Sequence, residues 1–322
     1  MTKVAFLFPG QGAQYVGMGR EFYEACLPSK NIFDKANNII SGLTDVIFNG
    51  PAEKLVSTAY CQPAIFTFST AALKALQVHS KFSQISPAYA CGLSLGEYSA
   101  LAASGALSFE ETLKLVERRS FFMEEAAQLK KGTMAAIIGF PLPVRPAGAM
   151  GGSASGADKN KLLEICQQAG AEVANFNSPE QIVITGEADK VNEACRLIKE
   201  AGAKRVIPLE VSGAFHSSLM QPAAVKFEEE LKKANLQAPE FPIISNVDGL
   251  PANNPSYIRK NLAKQITSPV QWVNTIEYIA SRGIKDFIEI GPGSVLKGLI
   301  RRINPELKVY NIEKPQDIEA LL

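Results

Sequence analysis

Three short apolar runs constrain this chain most: VAFLF at residues 4–8, AYAC at 88–91 and DFIEI at 286–290, each ending in a glycine-containing turn. Short runs of this kind read as strands buried inside a parallel sheet, and the amphipathic helical patterns between them would cover that sheet. The expected class is α/β. A chain of 322 residues, 46% hydrophobic and 20% charged, can bury a sizeable core of the ordinary globular type. Lys and Arg number 33 against 32 Asp and Glu, so no global field recruits nucleic acid or an anionic membrane. The first apolar run is cut off by Pro9 and Gly10 after five residues, too short for a signal sequence or a membrane span. Cys26, Cys61, Cys91, Cys166 and Cys195 are widely spaced with no C-x-x-C, which suits reduced thiols in a cytoplasm. With His79 and His216 as the only histidines, there are few ways to build a zinc site or a general base, and no metal site is expected.

Ser108 and Glu111 form a capping box, which predicts a long helix over 112–128 carrying Arg118 and Arg119. The texture then changes. Strands are predicted at 133–139, 172–177, 181–186 and 205–210, with helices at 159–169 and 190–201. This βαββαβ order is the ferredoxin-like arrangement, expected as a small domain over 132–210 inserted into a larger one formed by 1–131 and 211–322. Residues 141–157, PLPVRPAGAMGGSASGA, have the composition of a flexible surface loop or linker.

The stretch ACGLSLGEYSAL, residues 90–101, sets Ser94 between Gly92 and Gly96. A serine on a sharp strand-to-helix turn needs flanking residues without Cβ atoms, so that the backbone fits and Oγ stands free. Chance supplies G-x-S-x-G in a chain this long roughly one time in ten, so context has to decide. A serine hydroxyl also needs a base. His216, in VSGAFHSSLM, lies on a loop predicted to lead into a helix from residue 219, where catalytic side chains often sit, with a structural role as the equal alternative. His79 ends a helical pattern beside Lys81 and reads as a partly exposed helix C-terminal residue. In FPGQGAQ, Gly10 and Gly12 let the backbone at Gln11 approach a ligand, so that its amide can face a developing oxyanion. The rival reading, a phosphate loop, lacks the GK[ST] ending.

FPGQGAQ, QPAIF, GLSLGEYSAL, VERRSFFM, NFNSPEQIVITG, VSGAFHSSLM, SPVQW and EIGPGSVLKGL, in that order over nearly the whole chain, resemble the malonyl-CoA:acyl carrier protein transacylase family. The resemblance implies a large α/β-hydrolase-like domain with the small domain inserted, and an active site in the cleft between them. It makes Ser94 the acyl-accepting nucleophile and His216 its general base. Gln11 and Leu95 become the two backbone donors to the oxyanion, and Gln265 the residue whose backbone carbonyl orients the histidine in place of a triad acid. Arg119 falls on the arginine that grips the malonyl carboxylate, which a bidentate guanidinium suits, while Arg118 beside it reads as structural. Asn177 lies on a family asparagine near the cleft, though a turn role within NSPEQ competes.

Most members have histidine where this chain has Leu93, which removes one polar contact near the acyl group and loosens acyl discrimination. Phe215 in GAFH resembles the malonyl-type version and should leave little room for an α-methyl branch, a difference of ~1 to 3 kcal/mol in such pockets. The implied substrates are malonyl-CoA and holo acyl carrier protein, with a monomer, no metal and no redox cofactor expected. Lys297, Arg301 and Arg302 are candidates for a carrier-docking patch, with a solvated helix face as the alternative. Two rival readings remain, an esterase or thioesterase, against which Arg119 argues, and a non-catalytic carrier-binding protein on the same fold.

Overall fold

The computed structural model describes residues 1–140 and 156–321. The ten strands are β1 (Thr2–Phe8), β2 (Ile85–Gly92), β3 (Gly132–Ile138), β4 (Glu172–Ser178), β5 (Gln181–Glu187), β6 (Arg205–Pro208), β7 (Ile243–Ile244), β8 (Pro251–Ala252), β9 (Asp286–Ile290) and β10 (Lys308–Ile312). Six of them form one sheet in the order β10-β9-β1-β2-β7-β8, parallel except for the β7 and β8 pair. The three apolar runs are its adjacent strands β9, β1 and β2. Their burial follows the two-residue period of a strand. Val4, Phe6 and Phe8 point into one core cluster, whereas Ala5 and Leu7 point into another on the opposite face.

The strand expected at 88–91 starts earlier, at Ile85, because Ile85 and Ser86 pair with Thr2 and Lys3. The helix expected at 112–128 runs over Phe109–Leu129. Ser108 is its N-cap, accepting from the Glu111 N–H at 3.2 Å and donating to the Glu111 carboxylate at 2.8 Å, so helical geometry begins at the next residue. The helix expected from residue 219 is preceded by a 3-10 turn, Ser218–Met220, and begins as α-helix at Gln221, with Pro222 in its first turn.

A second sheet has the order β4-β5-β3-β6 and is antiparallel throughout. With the helices Gly156–Ala169 and Ala188–Glu200, the chain order from β3 to β6 is βαββαβ. Strand β6 stops at Pro208 rather than residue 210, where the missing N–H interrupts the ladder. Most of the loop expected at 141–157 lies outside the described residues, and positions 156 and 157 already belong to the helix Gly156–Ala169. One face of this sheet, with Ile137, Ile182 and Ile184, packs on the two helices. The other face, with Met134, Ala136, Ala174 and Val183, joins the main core. A parallel bridge also ties β4 to the segment before the helix Trp272–Ser281: Phe176 N–H donates to Val270 at 2.9 Å, and Val270 N–H to Ala174 at 2.8 Å. No helix among the described residues is long and apolar enough to cross a membrane.

Candidate active site

Ser94 stands where β2 turns into the helix Gly96–Ala103. The turn is so tight that a Cβ at Gly92 would overlap the backbone of Gly96, and one at Gly96 would overlap the Phe8 carbonyl. That is the physical content of the G-x-S-x-G spacing. Ser94 has φ 52° and His216 φ 59°, and these are the two non-glycine residues with positive φ among the described residues. Backbone strain is thus concentrated on the two residues singled out for proton transfer. Asn246 braces the turn from below, accepting from Ser94 N–H at 2.7 Å and donating to the Gly92 carbonyl at 2.7 Å.

Ser94 Oγ lies 2.8 Å from His216 Nε2. On the other side of the ring, Nδ1 faces two carbonyls, Gln265 at 2.8 Å and Ser268 at 3.1 Å. Carbonyl oxygens only accept, so Nδ1 carries the proton and Nε2 keeps its lone pair toward the serine. Burial, together with the positive charge of Arg119, lowers the His216 pKa to about 4, against the opposing pull of the two carbonyls. The imidazole is therefore neutral at pH 7 and ready to accept a proton.

Arg119 projects from the helix Phe109–Leu129 and is fully buried. One terminal nitrogen donates to Gln62 Oε1 at 2.5 Å, and the other to Gln265 Oε1 at 3.0 Å and to Ser94 Oγ at 3.1 Å. Its guanidinium carbon lies 5.3 Å from the centre of the Tyr98 ring. The guanidinium donates to no carboxylate among the described residues, which leaves its charge available to an anion. Arg118, its neighbour, is exposed.

Two main-chain amides complete the arrangement. A Cβ at Gly10 would overlap the Leu93 carbonyl, so the turn after β1 is pressed against the serine turn and brings Gln11 beside it. Gly12 has φ 100°, which glycine adopts freely. Neither Gln11 N–H nor Leu95 N–H donates to an acceptor among the described residues. Such a pair can receive a developing oxyanion.

The side chains of the remaining predicted residues make no hydrogen bond to Ser94, His216 or Arg119 among the described residues. Leu93 is half-buried, with its N–H donating to the Phe8 carbonyl at 3.0 Å, and its side chain packs with the core on the Trp272 side. Phe215 is buried in the main core immediately before His216. Asn177 lies within β4 rather than in a turn, buried, with its Oδ1 unpartnered among the described residues and with no hydrogen bond to Ser94, His216 or Arg119. His79 caps the end of the helix Thr58–Val78, with Nε2 3.0 Å from Glu319 and no hydrogen bond to Ser94, His216 or Arg119.

Gln62, Glu97, Asn246 and Ser268 went unnoticed as site residues. Gln62 sits beside Pro63 in a mostly apolar stretch of helix and Glu97 directly follows the G-x-S-x-G pattern, so both carried a faint signal; the other two have none. Glu97 is only 4% exposed, and burial raises its pKa to about 7. Its Oε2 accepts from Gln265 Nε2 at 2.7 Å and from Asn246 N–H at 3.2 Å. Among the described residues there is no cluster of three or more His, Cys, Asp or Glu that could hold a metal ion.

The sequence model of the family described as acyl transferase domain matches residues 5–312. The malonyl CoA-acyl carrier protein transacylase of Bacillus subtilis is 43% identical over 328 residues, covering 100% of this chain and 97% of its own length. The solved acyl-carrier-protein-S-malonyltransferase from Bartonella henselae superposes with a TM-score of 0.89 at 37% identity, covering 99% of this chain and 98% of that one. A malonyl-transacylase solved in complex with a type II PKS acyl-carrier protein superposes with a TM-score of 0.89 at 33% identity, again covering 99% and 98% of the two chains.

Proposed function

The chain belongs to the acyl transferase domain family, and from that membership and the geometry around Ser94 we propose that it transfers a malonyl group from malonyl-CoA to the phosphopantetheine thiol of an acyl carrier protein. The observation that carries the choice of acyl group is Arg119. A guanidinium with no exposed surface, held by two amide oxygens and 3.1 Å from Ser94 Oγ, offers a seat for a carboxylate two bonds from a reacting carbonyl.

In the first half-reaction Ser94 Oγ attacks the thioester carbonyl carbon and its proton passes to His216 Nε2. The oxyanion is received by Gln11 N–H and Leu95 N–H. Collapse breaks the carbon–sulfur bond, and the coenzyme A sulfur leaves with the proton from Nε2. The malonyl ester on Ser94 turns Oγ into a poor acceptor, which frees the Arg119 N–H that had pointed at it for the malonyl carboxylate. In the second half the carrier thiol gives its proton to His216 and attacks the ester, and Ser94 leaves reprotonated. No step needs a metal or redox cofactor.

We assign the body formed by 1–131 and 211–322 to nucleophile and oxyanion chemistry, and 132–210 to the other wall of the cleft. Arg302, which donates to Gln181 at 3.2 Å, joins these two parts, and with Lys297 and Arg301 it remains the candidate carrier-docking patch. Phe215 packed tightly before His216 supports malonyl over α-branched acyl groups. Intact-mass measurement tests the reading. Malonyl-CoA should add one malonyl group to the wild type and none to Ser94→Ala, and a malonyl adduct that persists on the variant would overturn it.

A further inference from the structure

Glu97 is a buried carboxylate that the transfer chemistry does not use. It lies one helical turn past the nucleophile, 4% exposed, and makes no ion pair among the described residues. Its acceptor Oε2 meets two donors, the Asn246 N–H and the side-chain amide nitrogen of Gln265. Gln265 is fully buried and bonds to Ser94, His216 and Arg119. Its backbone carbonyl takes His216 Nδ1, its Nε2 also donates to the Ser94 carbonyl at 2.9 Å, and its Oε1 takes Arg119 at 3.0 Å.

A glutamine amide can present either end to a neighbour, and the choice decides what faces Arg119. Ionised, Glu97 only accepts, so together with the Ser94 carbonyl it draws the amide nitrogen of Gln265 toward itself. The amide oxygen must then face the guanidinium. Reversed, the amide would set an N–H against an Arg N–H and push the guanidinium off its seat. Glu97 also stands behind Gln265, one residue removed from Arg119, without touching it. A carboxylate in direct contact would occupy the edge that a substrate carboxylate needs, and the neutral amide oxygen between them prevents this.

We propose that Glu97 is a positioning residue for acyl selection: through Gln265 it orients Arg119 for a carboxylate-bearing acyl group. The inference rests on the malonyl-transfer reading above. The test compares kcat/KM for malonyl-CoA and acetyl-CoA in Glu97→Gln, which keeps the size but puts a group that can also donate beside the Gln265 amide. Malonyl transfer is expected to fall about tenfold or more and acetyl transfer by less than about threefold, the coupling typical of one hydrogen-bond network. In an Arg119→Ala background the same substitution should leave the malonyl-to-acetyl ratio where Arg119→Ala put it. Equal losses for both substrates, or a ratio that shifts additively in the double variant, overturn the proposal. If Glu97→Gln does not fold, Gln265→Met, which keeps the backbone carbonyl on His216, carries the same expected ratio change and the same refutation. Failure of the wild type to load malonyl at all would instead refute the underlying reading.

Discussion

At the scale of single residues, the site works by holding one charge beside one neutral base. Burial and the Arg119 charge together lower the His216 pKa, and in the proposed reaction the same charge pairs with the malonyl carboxylate. Two consequences are tied to the same side chain. With His216 as the proposed base, the acid limb of kcat/KM should lie near pH 4, where the free enzyme's imidazole takes up a proton. Arg119→Ala should move that limb to higher pH, since removing a positive neighbour makes the imidazolium easier to form. The same variant should flatten or invert the preference for malonyl over acetyl, because stranding a carboxylate in a buried site costs ~3 to 5 kcal/mol that acetyl never incurs. Steady-state kinetics with both thioesters across pH checks all of this. An unmoved limb together with equal losses for the two substrates refutes the assigned role of Arg119.

At the scale of elements, two strand-to-helix turns do comparable work by different means. The β2 turn presents Ser94 and is braced by Asn246, whereas β9 feeds the helix Val295–Ile303 through Glu289, which is fully buried. Glu289 accepts from Leu296 N–H at 2.9 Å and Lys297 N–H at 2.8 Å, satisfying two donors that a helix start leaves open. Burial nonetheless raises its pKa to about 7 from 4.5, so the folded state binds this proton more tightly than the unfolded chain. Its contribution to stability is therefore full below pH ~4.5 and is lost as pH rises toward 7. Glu289→Gln should lower Tm near pH 5, where the wild type keeps its bound proton, and the gap should shrink toward pH 8. Thermal melts at the two pH values check the sign, and a gap that widens with pH contradicts it.

At the scale of the whole molecule, both sheets share one core. Met134, Ala136, Ala174 and Val183 from the second sheet pack in the same cluster as Val4, Phe6 and Phe8 from the first, and the Val270 bridge pairs β4 with the segment before the helix Trp272–Ser281. Neither sheet can lose its packing without exposing the other. The chain should therefore unfold in one calorimetric transition, with calorimetric and van't Hoff enthalpies in agreement. Two separated transitions would show that the shared core does not couple the two parts.

What the amino-acid sequence determined by itself was what local spacing encodes. Apolar period and glycine turns mark the central strands, Ser108 and Glu111 mark a helix start, and Gly92 and Gly96 mark the turn that exposes Ser94. The βαββαβ order of the second sheet is legible for the same reason. Tertiary structure alone decided which distant groups meet. Ser268 and Gln265 converge on His216 Nδ1, Asn246 reaches across 152 positions to Ser94, and Gln62 and Gln265 clamp Arg119 from separate helices. Asn177 shows the limit from the other side, for its NSPEQ context suggests a turn but pairing with β5 extends the strand to Ser178. Local signals report what a residue does to its own backbone. A hydrogen bond between residues far apart in the chain depends on where the packed core brings their elements together, and no short stretch of sequence carries that information.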